Sequence, residues 1–327
     1  MNDFFINCDW GTSHFRLRAI RGRGTEIVAE YRSDEGAGRL AAAESSAAQS
    51  ELFQGVLRRG LDHLRAKVGA DVADAPVVIS GMASSSIGWQ ELPYAKVPFG
   101  LDGAELICKE LQLGGGKSRQ RIVLVSGACT EADVMRGEET QALGVFQLPV
   151  AQALAERSLL ILPGTHSKHL RVARGRVEGF RTFMTGELFE VLSKHSILRH
   201  SLDESPAGAL EGKSLEAFGA GVDQVRDLPL SAALFRVRAR AVLGGSGAET
   251  NRAFLSGVLI GSELAFLLHD DWREQPILLA AAEAIERPYR LAFEKLGLSD
   301  RLTSISAHDV ERLSALGQQV LLVYLGF

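Results

Sequence analysis

The chain opens on an apolar run, Phe4-Phe5-Ile6, that passes through Asn7-Cys8-Asp9-Trp10 into a Gly11-Thr12-Ser13 turn. Residues 14–20 then alternate apolar with basic side chains. A period of two marks a strand with one buried face, so the pair predicts a β-hairpin, and residues 26–31 continue it as a third strand. The period lengthens over residues 48–68, where Leu52, Val56, Leu57, Leu61, Leu64 and Val68 recur at helical spacing. Residues 76–81 and 121–127 are continuous apolar runs that each stop at Ser-Gly, as buried strands do. Residues 103–112 read helical, and residues 131–146 read as a loop or short turn leading into a helix.

The pattern then restarts. Residues 158–162 form an apolar strand that runs into Pro163-Gly164-Thr165-His166-Ser167, and residues 170–173 follow as another strand. Helical periodicity covers residues 186–199, about 207–223, 230–243 and 251–269. Residues 276–280 read as a strand, 282–296 and 308–316 as helices, and 320–324 as a short apolar strand. A strand followed by a Gly-Thr-Ser or Gly-Thr-x-Ser turn thus occurs once in each half. Residues 147–156 are the best crossing point, which predicts α/β domains at 1–147 and 148–327.

Composition narrows the setting. The 327 residues are 46% hydrophobic and 23% charged, ordinary for a globular protein with ample length to bury a core. Thirty-six Lys and Arg against forty Asp and Glu leave a net charge of −4, which does not draw nucleic acid or an anionic bilayer by bulk charge. The apolar stretch 253–268 carries Glu263 and reads as too short and too polar to span a membrane. The start, MNDFF, lacks the pattern of a secretory signal. Three scattered cysteines have neither metal nor disulfide spacing, so a cytoplasmic location is expected. A homodimer is compatible with all of this.

Each turn offers backbone N–H groups and hydroxyl donors on a concave tip, which suits an anion nest built from Gly11, Thr12 and Ser13 or from Gly164, Thr165 and Ser167. Lys168 stands beside the second turn as a phosphate counter-charge, and Asp9 before the first could hold Mg²⁺ through water. Plain β-turns and a solvated lysine are the bland alternatives. The segment 111–118, LQLGGGKS, ends like a P-loop but lacks the first glycine and sits between the wrong elements, so it reads as a surface loop. Residues 244–247, GGSG, read as a helix stop. Glu131, Asp133, Glu138 and Glu139 are either helix-start acids or the source of a general base, with Glu138 the first candidate and Asp133 its competitor. Arg136 between them pairs with an acid of the substrate or neutralises these carboxylates. Trp89, Glu91 and Tyr94 suit a sugar face, or anchor their loop as buried aromatics.

Several long segments resemble the 2-dehydro-3-deoxygalactonokinase family: Asp9-Trp10-Gly11-Thr12-Ser13, Gly81-Met82 with Gly88-Trp89, Glu91 and Pro93-Tyr94, Asp133-Val134-Met135-Arg136-Gly137-Glu138-Glu139-Thr140-Gln141, Leu162-Pro163-Gly164-Thr165-His166-Ser167-Lys168, and Thr182-Phe183-Met184-Thr185-Gly186-Glu187. Lys194-His195-Ser196-Ile197-Leu198 and Leu255-Ser256-Gly257-Val258-Leu259-Ile260-Gly261 extend the likeness along almost the whole chain. The resemblance implies the sugar kinase, actin and heat-shock ATPase superfamily: two ribonuclease-H-like domains with mixed sheets flanked by helices, and an active site in the interdomain cleft. It implies ATP and Mg²⁺, and phosphoryl transfer to the C6 hydroxyl of a 2-keto-3-deoxy sugar acid. The two Gly-Thr turns would hold phosphate, Glu138 would act as base with Asp133 assisting, and Gly81, Trp89, Tyr94 and Arg136 would meet the sugar. Residues 83–87 depart from the family pattern in the substrate loop. So do Ala280, Ala281 and Ala282, where glycine would allow closer approach to the nucleotide. A phosphatase or polyphosphatase of the same fold, and a sugar-acid or nucleotide sensor, are the alternatives.

Overall fold

The hairpin at the start of the chain forms as its alternation predicts. In the computed structural model, which describes residues 3–22, 26–41, 45–113, 120–203, 210–244, 246–268 and 274–327, strands β1 (Phe4–Trp10) and β2 (Phe15–Arg21) pair antiparallel. Asp9 lies opposite Arg16, and Trp10 opposite Phe15. Strand β3 (Glu26–Ser33) pairs with β2, while β4 (Val77–Gly81) runs parallel to β1 on its other side. Strands β5 (Cys108–Leu113) and β6 (Gln120–Val125) complete a sheet of order β3-β2-β1-β4-β6-β5. Helix α1 (Ser46–Val68) is capped by Ser45, whose hydroxyl accepts from the Ala48 N–H at 3.2 Å. It buries Phe53, Val56, Leu57, Leu61 and Leu64, and Phe53 packs 4.7 Å from the Trp10 ring.

The helix expected over residues 103–112 is not there: residues 108–113 are an antiparallel edge strand, with Cys108 opposite Val125 and Leu113 opposite Gln120. The free edge of β6 supplies backbone partners that a helix would have left unpaired, and this pairing overrides local propensity. The strand expected at residues 320–324 is likewise replaced by one continuous helix, Leu313–Tyr324. Its buried Leu313, Leu316, Gly317 and Leu321 recur at helical spacing.

Two compact units result: residues 1–156 with 172–180 and 308–327, and residues 157–171 with 181–307. A single cut at 147/148 does not describe them, because the chain returns to the first unit twice. Phe99 and Gly100 pair with Val177 and Arg176, and the last helix locks onto β1 and β4. There the Gln318 amide donates to the Cys8 carbonyl (3.0 Å) and the Ser80 hydroxyl (2.8 Å), and the Asn7 amide donates back to Gln318 (2.8 Å) and Ser314 (3.0 Å).

The second sheet is built from β7 (Arg157–Leu162), β8 (Ser167–Ala173), β9 (Arg176–Phe183), β10 (Ile277–Leu279) and β11 (Leu302–Ser304). Its order is β9-β8-β7-β10-β11, with Phe99–Gly100 beyond β9; the first four positions repeat the third-second-first-fourth order of the first sheet, and β7, β10 and β11 are parallel, so the repeat seen in the turns extends to topology. Helices α3 (Thr185–His195), α4 (Gly212–Asp227), α5 (Leu230–Val242), α6 (Ala248–Ala265) and α7 (Glu283–Leu296) follow their expected positions. Residues 114–118, 207–209, 245 and 269 of the segments read from sequence lie outside the described residues. With the turn that follows it, α6 is long and apolar enough to cross a membrane, contrary to the sequence reading; here it is a core helix. A Cβ at Gly257 would stand 2.1 Å from the Phe218 carbonyl, so α4 and α6 touch backbone to backbone.

Candidate functional site

Open α/β sheets place their chemistry beyond the carboxyl ends of parallel strands. In the first unit those ends are Trp10 on β1 and Gly81 on β4, which sit side by side. The turn after β1 closes with the Gly11 N–H donating to the His14 carbonyl at 2.9 Å. Its carbonyls face inward: those of Gly11, Thr12 and Ser13 accept from the N–H groups of Ala37 (2.9 Å), Gly38 (2.9 Å) and Gly36 (3.3 Å). Thr12 and Ser13 are exposed. The fold itself makes little demand for glycine at position 11, whose φ is not positive and where a Cβ would meet the His14 carbonyl at 3.4 Å. Asp9 at the end of β1 holds Arg16 at 2.6 Å through Oδ2 and is partly exposed. Among the described residues no group of three His, Cys, Asp or Glu could hold a metal. Asp9 alone fits a water-mediated contact to a metal that arrives with phosphate.

Gly81 has φ +96°, and a Cβ on it would stand 2.6 Å from the Trp10 carbonyl. Gly137, with φ +111°, packs beside it: its Cβ position lies at an ordinary contact distance, 3.6 Å, from the Gly81 Cα. Three backbones therefore meet at residues 10, 81 and 137, and this contact brings helix α2 (Glu138–Val145) to the strand ends. From its other side α2 is clamped by the last helix, where a Cβ at Gly317 would fall 1.8 Å from the Thr140 carbonyl and one at Gly144 2.0 Å from that of Leu313.

Two carboxylates start α2, where the helix dipole favours them. Glu138 is partly buried, and its Oε2 accepts the Arg136 N–H at 3.0 Å. Glu139, named from sequence only as a member of the acid cluster, is fully buried. Its carboxyl takes the Gly137 N–H at 2.7 Å and the Thr140 hydroxyl at 3.0 Å. Burial first, and the neighbouring Glu138 charge second, push its pKa up to about 7. A base must reach its substrate, so Glu138 fits that role and Glu139 does not. Asp133 is not brought beside Glu138. It sits at the tip of the short hairpin that pairs Ala128–Cys129 with Val134–Met135, its carboxylate accepting the Val134 N–H at 2.7 Å, while Gly137 lies beyond the opposite end.

Arg136 is fixed on three sides. Its Nη1 donates to the carbonyl (2.8 Å) and hydroxyl (2.6 Å) of Ser84, and its guanidinium lies 4.2 Å over the Tyr94 ring. A cation therefore stands on the very loop, residues 83–87, where the sequence departs from the family pattern. Trp89 is not joined to this set: its indole N–H donates to Ser50 at 2.9 Å and its ring packs on the core, so it anchors the loop to α1.

In the second unit the turn after β7 leaves Gly164 and Thr165 exposed. Gly164 has no positive φ, and among the described residues nothing lies within 4 Å of its Cβ position, so space rather than strain distinguishes it. The turn abuts the start of α3: Thr165 accepts the Glu187 N–H at 3.0 Å, and a Cβ at Gly186 would stand 2.6 Å from the Gly164 carbonyl. His166 at the tip pairs with Glu187. Ser167 and Lys168 are not on the exposed tip. Both are buried; the Ser167 hydroxyl meets Tyr289 at 2.9 Å and receives the Gly164 N–H at 3.4 Å, and the Lys168 ammonium donates to Thr182 at 2.8 Å. Ala280 and Ala281 are buried, the latter within the core, which leaves only the methyl of Ala282, at the start of α7, exposed.

This chain is similar to several known proteins. The family described as 2-keto-3-deoxy-galactonokinase matches residues 9–316. A protein named as a probable 2-dehydro-3-deoxygalactonokinase from Rhizobium meliloti (strain 1021) is 38% identical over 302 residues, 91% of each chain. The 2-dehydro-3-deoxygalactonokinase of Escherichia coli (strain K12) is 33% identical over 298 residues, 90% of each chain. A crystal structure of a protein ascribed to the same activity, from Sinorhizobium meliloti, superposes with a TM-score of 0.79 at 34% identity, covering 99% of this chain and 100% of that one.

Proposed function

We propose that this chain, which belongs to the 2-keto-3-deoxy-galactonokinase family, transfers the γ-phosphoryl group of MgATP to the C6 hydroxyl of 2-dehydro-3-deoxygalactonate or a close 2-keto-3-deoxy sugar acid. Family likeness over nearly the whole chain is the observation that carries the activity; the geometry divides the labour. Phosphoryl transfer asks for little covalent help from protein, so positioning and charge neutralisation do most of it.

In this reading Glu138 accepts the proton of the sugar hydroxyl as its oxygen bonds to the γ-phosphorus, and the bond from that phosphorus to the β-bridging oxygen breaks to release ADP. The contact between residues 81 and 137, which brings the start of α2 to the strand ends, supports this role for Glu138. Arg136, kept in one orientation by Ser84 and Tyr94, receives the carboxylate of the sugar acid, a pairing its planar fork suits. Thr12 and Ser13, and in the second unit Thr165, offer donors to phosphate oxygens, while Gly164 leaves room for their approach. Asp9 would be the residue to meet, through water, an Mg²⁺ that arrives with ATP, and that ion would neutralise phosphate charge.

The test incubates the purified protein with MgATP and a panel of 2-keto-3-deoxy sugar acids while ADP and phosphosugar are followed. Sugar-dependent ADP with matching phosphosugar is the expected result. Phosphate release without an acceptor, or ligand binding without turnover, would overturn the reading.

A further inference from the structure

Beneath the second turn lies a buried polar cluster to which the proposed mechanism gives no part. Glu263 on α6 is 2% exposed and His169 on β8 is 0% exposed. The Glu263 carboxylate accepts from His169 Nε2 through Oε1 at 2.8 Å, and through Oε2 from the Tyr289 hydroxyl at 2.8 Å and from the Thr185 hydroxyl. Three hydrogen bonds converge on one buried carboxylate, the condition under which a buried charged group is tolerated.

That charge sets the direction of a chain of hydrogen bonds. A phenol has one proton. Burial and the Glu263 charge hold the Tyr289 hydroxyl well above its usual pKa, so the proton stays on oxygen and is given to Glu263. Ser167, 2.9 Å from the Tyr289 oxygen, must then donate to it, which leaves the Ser167 oxygen to accept the Gly164 N–H at 3.4 Å. The line runs from Gly164 through Ser167 and Tyr289 to Glu263. A second branch runs through Thr185, the first residue of α3, whose Gly186 lies against the Gly164 carbonyl. One carboxylate thus grips both the turn and the helix start that packs on it.

We propose that Glu263, acting through Tyr289 and Ser167, is the positioning residue that fixes the 163–167 turn for the phosphate tail of ATP. This rests on the reading that Gly164 and Thr165 receive phosphate. A polar cluster held only for folding would affect the amount of active protein; a positioning cluster affects the affinity of one substrate.

The experiment measures kcat, the KM for MgATP and the KM for the sugar acid, together with Tm, for wild type, Tyr289→Phe, Glu263→Gln, Glu263→Ala and Thr165→Val. Tyr289→Phe keeps the ring packing and cuts the line, and is expected to raise the KM for MgATP roughly tenfold, the scale of a small misplacement of a binding group, while leaving the KM for the sugar acid within about twofold. Glu263→Gln retains an oxygen for Tyr289 and Thr185 and is expected to lie closer to wild type than Glu263→Ala. Should Glu263→Ala fail to fold, Tyr289→Phe alone decides. If Thr165→Val raises the KM for MgATP and Tyr289→Phe does not, this inference falls and the phosphate reading stands. If neither does, or if wild type forms no sugar-dependent ADP, both fall.

Discussion

Glu139→Gln is expected to stabilise the protein above neutral pH and to do nothing in acid. The wild-type carboxyl is fully buried with a pKa raised from 4.5 to about 7, so the folded state binds a proton more tightly than the unfolded chain does. Stability from such a group is complete below pH 4.5 and is lost as pH rises through about 7. At roughly 1.4 kcal/mol per pKa unit, the interval corresponds to about 3 kcal/mol at pH 8. Glutamine copies the protonated acid: its oxygen can accept the Gly137 N–H and its NH₂ can donate to the Thr140 hydroxyl, the two partners Glu139 already holds. Thermal unfolding of both proteins from pH 5 to pH 8 is the assay. At ~2–4 °C per kcal/mol for a unit of 150–250 residues, the variant should melt about 6–12 °C higher than wild type at pH 8, with the gap closing toward pH 5. Parallel Tm–pH curves would refute the reasoning.

Glu138→Gln should lower kcat by ~10²-fold or more with little change in either KM, as steady-state kinetics would show; a rate near wild type removes Glu138 as the base. Arg136→Lys keeps the charge but loses the fork that Ser84 and the stack on Tyr94 orient, and should raise the KM for the sugar acid by roughly tenfold while the KM for MgATP stays put. Gly317→Ala drives a methyl to within 1.8 Å of the Thr140 carbonyl and should cost about 1–3 kcal/mol or more in denaturant unfolding, with kcat falling alongside because α2 carries Glu138.

What could be read from sequence was what repeats or what carries a local signature. The strand followed by Gly-Thr announced both turns, and the long periodic stretches gave α1 and the helices of the second unit to within a few residues. Residues 108–113 were misread because a six-residue edge strand has no period of its own strong enough to outweigh the pairing that β6 offers. The same ambiguity of short apolar runs split the last helix. Among site residues, Glu138 and Arg136 stood in a motif, whereas Glu139 differs from its neighbour only in being turned inward, which no residue type announces. Glu263 carried a usable signal: a lone acid in the apolar stretch 253–268 has to find donors. Its partners, His169, Thr185 and Tyr289, are separated from it by 94, 78 and 26 positions, so they could not be named before the fold was known.

The clasp between Gly144 and Gly317 has a temporal meaning. Residues 308–327 follow the whole second unit in chain order, yet Gln318 bonds to both β1 and β4 and Gly317 is what α2 leans on. A nascent chain that has made both turns still lacks the wedge that seats α2, so the setting of Glu138 is complete only once residues 308–327 have followed.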